Sequence, residues 1–172
     1  VTDDMGFIST FGGAGLRNNG CSVHITNTIF SEHLVESGAG GGIYNTGGGT
    51  LNVANSTFSS NWADSGGGIY NASGSTLTVT NSTFASNLAV GNGGGIYNDG
   101  VALNVTNSTF SFNNADSGGG IYTSGGTLNI VNSTISNNGA AGVENVGAGG
   151  GIHVATGTVT IVNSTWSGNS AD

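Results

Sequence analysis

Two short motifs recur along the chain at one shared interval, and a chain built in this way has few folds open to it. Gly-Gly-Gly-Ile-Tyr stands at 40–44, 66–70, 93–97 and 118–122, becomes Gly-Gly-Gly-Ile-His at 149–153, and has a degenerate form, Gly-Gly-Ala-Gly-Leu, at 12–16. Asn-Ser-Thr followed by an apolar residue begins at Asn55, Asn81, Asn107, Asn132 and Asn163, with an earlier variant at Asn27. The period is about 25 to 31 residues. Between the motifs lie alternating segments at 51–53, 77–79, 103–105, 128–130 and 159–161. Each unit therefore predicts three short strands separated by turns. No such unit can bury its apolar residues alone, so neighbours must stack.

The fold expected is all-β: one parallel β-helix domain over residues 12–172, about six coils of three short strands, roughly 29 Å long at ~4.8 Å per coil. Residues 1–11 fall outside the repeat and read as an extension or cap. Coiling places Ile43, Ile69, Ile96, Ile121 and Ile152 in one inward column, and Leu51, Leu77, Leu103, Leu128 and Val159 in a second. Val53, Val79, Val105, Ile130 and Ile161 form a third; Phe30, Phe58, Phe84, Phe110, Ile135 and Trp166 form a fourth. Gly42, Gly68, Gly95, Gly120 and Gly151 precede the inward Ile, where a tight corner needs either positive φ or a missing Cβ. Two Asn rows, Asn61 with its equivalents and Asn55 with its equivalents, are both expected to form internal ladders.

At this point a family resemblance emerges. The Gly-Gly-Gly-Ile motif with a later Phe-x-x-Asn, as in Phe58 to Asn61, Phe84 to Asn87 and Phe110 to Asn113, resembles the GGA[I/L/V] and FxxN repeats of the chlamydial polymorphic outer-membrane proteins. It is also similar to the broader right-handed parallel β-helix repeats of bacterial surface proteins. The resemblance spans about residues 12–172 and implies a right-handed coil. For function it implies little, since adhesins, surface layers and lyase-like enzymes share such repeats.

Composition removes several partners. The net charge is −8 and Arg17 is the only Lys or Arg, so nucleic acid and anionic membrane surfaces are repelled and are not expected partners. No apolar run suits membrane insertion, and Cys21 has no second cysteine to pair with. The first residues carry no export leader, so secretion to the cell surface or beyond is an expectation from architecture.

The candidate chemistry is sparse. A lyase of this fold needs an acidic cluster for calcium beside a basic residue, whereas Arg17 sits among Asn18 and Asn19. Asp64 and Asp116 occupy equivalent turns two coils apart, about 9.6 Å by strand spacing, near the upper limit for an inverting carboxylate pair; the plain alternative is solvated turn acids. Asp64, Asp99 and Asp116 are also the calcium candidates. His24 and His153 lie in the first and last coils and cannot share a metal, while His33 and His153 read as substitutions within ladders. No cofactor is expected, and no catalytic residue is assigned.

The outward files say more. Tyr44, Tyr70, Tyr97 and Tyr122 follow the inward Ile and form one file, read either as a partner-binding surface or as self-stacking. Thr50, Thr76, Thr127 and Thr158, beside Asn52, Thr78, Asn104, Asn129 and Thr160, resemble the ice-facing sheet of solenoid antifreeze proteins, with Ala102 interrupting. Among the Asn-x-Ser/Thr triplets, Asn71 at a turn and Asn104 on the outside are the glycosylation candidates, the others being assigned to the inward ladder.

The leading expectation is a non-enzymatic extracellular structural protein, a surface-fibre or adhesin-stalk subunit joined head to tail with copies of itself through uncapped ends. Glycans or a host surface are its further candidate partners. A carbohydrate-binding or carbohydrate-cleaving β-helix and an ice-binding solenoid are the alternatives.

Overall fold

The computed structural model describes residues 12–142 and 148–172. Every strand in it pairs in parallel with its equivalent one repeat away, and the chain winds through four sheets in turn. The tyrosine sheet stacks Leu16–Asn19, Ile43–Thr46, Ile69–Asn71, Ile96–Asn98, Ile121–Thr123 and Ile152–Val154. The leucine sheet stacks Ser22–Thr26, Thr50–Ala54, Thr76–Thr80, Ala102–Thr106, Thr127–Val131 and Thr158–Val162. The phenylalanine sheet stacks Ile29–Ser31, Thr57–Ser59, Thr83–Ala85, Thr109–Ser111, Thr134–Ser136 and Thr165–Ser167. A fourth, the alanine sheet, stacks the two-residue strands Trp62–Ala63, Leu88–Ala89, Asn114–Ala115, Gly139–Ala140 and Ser170–Ala171.

The fourth sheet corrects the expected three strands per coil. Two residues are too few to show alternation, so sequence pattern does not reveal such a strand. The predicted residue-to-residue register is otherwise met: Ile69 pairs with Ile96, Leu77 with Leu103, Val79 with Val105 and Phe84 with Phe110. All four inward columns are buried through the middle of the stack, where the Ile, Leu, Val and Phe side chains are at most 1% exposed. Phe58, Phe84 and Phe110 stack with ring centroids 4.6 Å apart and planes within 3° of parallel.

The Gly-Gly-Gly corner divides two demands that the sequence left together. Positive φ belongs to the first glycine, 64° at Gly66 and 70° at Gly93. The third, Gly68, has ordinary φ but no room: a Cβ there would lie 2.5 Å from the Gly95 carbonyl oxygen and 3.0 Å from the Phe84 ring. The missing side chain is what lets the corner close over the phenylalanine column. The segment 1–11 lies outside the described residues.

Candidate functional site

Asn87 illustrates how the interior polar residues are held. Its Nδ2 donates to the Phe58 carbonyl at 3.0 Å and to Asn113 Oδ1 at 2.9 Å, while its Oδ1 accepts from the backbone N–H and Nδ2 of Asn61 at 3.1 and 2.8 Å. The same pattern runs on through Asn113 and Asn138 to Asn169. His33 takes the Asn place at the first level, its backbone N–H donating to Asn61 Oδ1 at 3.1 Å.

The second Asn row is not internal. Asn55, Asn81, Asn107, Asn132 and Asn163 are exposed and sit in the left-handed region with φ between 49° and 51°. The serine that follows each turns inward instead. Ser82 Oγ donates to the Thr80 carbonyl at 2.8 Å and accepts the Ser56 N–H at 3.1 Å, and Ser108 and Ser133 repeat this. The corner thus needs Asn for its backbone conformation and Ser for its hydroxyl.

This reverses the glycosylation reading. Asn71 is fully buried, in another amide ladder that the sequence reading missed: Asn18, Asn45, Asn71 and Asn98 are linked by Nδ2-to-Oδ1 bonds of 2.8 Å, and Asn98 donates on to Thr123. A glycan on Asn71 is incompatible with the fold. Asn104 does face outward, half-buried, accepting from Asn129 Nδ2 at 2.9 Å. The five Asn-Ser-Thr sites assigned to the interior are in fact the exposed ones.

The tyrosine file faces outward as expected, but its rings cover one another. Tyr70 and Tyr97 stack at 4.6 Å, Tyr97 and Tyr122 at 5.1 Å, and Tyr122 and His153 at 5.0 Å, with interplanar angles of at most 18°. Tyr44 meets Tyr70 edge-on at 5.3 Å, and the Arg17 guanidinium lies 5.1 Å from the Tyr44 ring centroid. The chain's one permanent side-chain cation thus caps the aromatic stack. Ring edges and hydroxyls, not ring faces, are what the file offers to a partner. Burial, reinforced by Tyr97 and Asp99, pushes the Tyr70 hydroxyl well above the usual phenol range, and burial raises Tyr122 as well.

The calcium candidates do not meet at one point. Asp64 and Asp116 belong to the alanine-sheet side with Val90 at the intervening level, and Asp64 Oδ2 accepts the Gly38 N–H at 2.8 Å. Asp99 follows the tyrosine sheet, where its Oδ1 accepts from Ser124 Oγ at 2.9 Å. Among the described residues, no three His, Cys, Asp or Glu side chains come together to hold a metal. His24 is on the outer face of the leucine sheet and His153 on the tyrosine sheet.

Residues 7–165 match the family described as the right-handed beta helix region. The chain belongs to that family. No curated protein and no solved structure matches it. Membership makes this β-helix right-handed, in keeping with the parallel four-sheet coil, and the match does not extend to the chlamydial repeats in particular. The right-handed β-helix is a scaffold used by enzymes and non-enzymes alike, so its chemistry has to be argued from the outer files.

Proposed function

We propose that this β-helix is a non-enzymatic, extracellular structural protein, a rod segment of a surface fibre or adhesin stalk that stacks head to tail with copies of itself. The observation that supports it is the sameness of the levels. Ile152, Val159, Ile161 and Trp166 of the last level stand in the same files as Leu16, Val23, Ile25 and Phe30 of the first. A further level of this kind, placed on the last, meets matching side chains and strand edges in register. The tyrosine file would then recur along the fibre, broken at each junction by His153 and Arg17, offering hydroxyls and ring edges to glycans or a host surface.

Electron microscopy of the purified chain at rising concentration tests the reading. Filaments of one constant width are expected, and Trp166→Asp should shorten them by burying a charge at each junction. Short rods that never lengthen with concentration would remove the head-to-tail reading.

One observation favours a second reading, ice binding, on a face the sequence reading did not consider. Thr57, Thr83, Thr109, Thr134 and Thr165 follow Ile29 of the first level in one outward file on the phenylalanine sheet, five threonines in succession, beside Ser59, Ala85, Ser111, Ser136 and Ser167. The leucine-sheet rows are broken by Ala102 and mixed with Asn. Thermal hysteresis that Thr109→Tyr abolishes and Thr78→Tyr leaves intact would support ice contact on this sheet; no hysteresis in the parent chain would dismiss it.

A further inference from the structure

The alanine-sheet side carries apolar residues that the fold does not require. Along its outward file Leu34, Trp62 and Leu88 occupy three successive levels, whereas the next three levels have Asn114, Gly139 and Ser170. The coil therefore forms equally well around a polar residue or none at this position. Leu88 is nevertheless 42% exposed and Val90, two residues on and on the same face, is 52% exposed.

Phe112 adds an independent sign. It stands at the corner where Ser60, Ser86 and Asn137 occupy equivalent places, all in left-handed conformation, and its own φ is 56°. A bulky residue is disfavoured there, where Asn is at ease. Its ring gains no burial in return, being 63% exposed. Neither the backbone nor the core selects Phe at this place, the corner that leads into Asn114–Ala115, the strand paired with Leu88–Ala89, and an exposed aromatic there adds to the apolar side chains of the alanine sheet as in a contact patch.

Charge identifies the occupant. Of the acidic residues among the described ones, Asp64, Asp116 and Asp172 follow strands of the alanine sheet, Glu32 and Glu36 stand two residues to either side of Leu34 at the first level of the same side, and Asp99 follows the tyrosine sheet. Asp64 and Asp116 flank Val90 at the levels below and above. A second copy of this chain has a single Arg, already over Tyr44, with which to answer them. Nucleic acid and anionic lipid would be repelled. We infer that this side docks a segment of another protein that carries both apolar side chains and Lys or Arg, the apolar ones on the Trp62–Leu88–Val90–Phe112 patch and the cations on the acidic rim.

The test uses the full chain with Trp166→Phe, so that Trp62 is the only tryptophan. It is titrated at physiological salt with a synthetic peptide of alternating Lys and Leu, and separately with a peptide of the same charge made of Lys and Gly. The expected result is a saturable blue shift of Trp62 emission with the Lys-Leu peptide, at least about tenfold tighter than with Lys-Gly. Leu88→Asn with Phe112→Asn, residues the fold already accepts at equivalent places, should abolish that preference while leaving the thermal midpoint unchanged or raised. Asp64→Asn with Asp116→Asn should flatten its salt dependence. Equal affinity for both peptides, an unaffected Leu88/Phe112 variant, or no response of Trp62 would each overturn the proposal.

Discussion

Asn87 and Ile96 occupy the same interior and are held there for opposite reasons. The amide is tolerated because both its donor hydrogens and its carbonyl are engaged, so Asn87→Ala leaves partners above and below unsatisfied in a dry environment. The expected loss is about 3 kcal/mol, read from the shift in urea midpoint. Ile96 is fully buried within the apolar cluster, so Ile96→Asp should cost several kcal/mol, whereas Thr78→Ser on the outer face should cost well under one. Denaturation midpoints that move equally for Ile96→Asp and Thr78→Ser would contradict the assignment of inside and outside.

At the level of the element, the tyrosine file is a stack within a sheet, and its ionisation is coupled to its packing. In the folded chain Tyr70 keeps its proton to a higher pH than in the unfolded chain, where the value is near 10.0. Its contribution is thus complete below that pH. Above it the unfolded state releases a proton that the folded state retains, so stability falls as pH rises towards the folded-state value. Thermal midpoints should drop as pH is raised past about 10, and Tyr70→Phe should reduce that slope. A slope unchanged by Tyr70→Phe would place the alkaline sensitivity elsewhere.

For the whole molecule, each level touches only the ones beside it, so stability is a sum of intrinsic and neighbour terms. Ile130, fully buried between two levels, and Ile161, 45% exposed on the last described level, stand in the same column. Ile130→Ala should cost about 2–5 kcal/mol and Ile161→Ala less than half as much, measured by urea unfolding at a concentration too low for copies to join end to end. Comparable losses would mean that another surface covers the last level in solution.

Periodicity alone was enough to determine the parallel coil, its register and all four apolar columns, because a motif that recurs at one interval can shield its apolar residues only by lying beside its own copies. What it could not decide was which of two adjacent polar residues turns inward. Asn55 and Ser56 recur equally well, and only the left-handed corner sends the amide out and the hydroxyl in. The burial of Asn71 is hidden from the sequence for a related reason: it depends on Asn45 and Asn98 at other levels, 26 and 27 positions away in the chain. The two-residue alanine strands, the closure of the tyrosine faces by their own neighbours, and the alignment of acids along the alanine-sheet side likewise arise from stacking. Repetition along the chain specifies which residues become neighbours, but the orientation of each side chain is settled by backbone angles and hydrogen bonds that exist only once the levels are assembled.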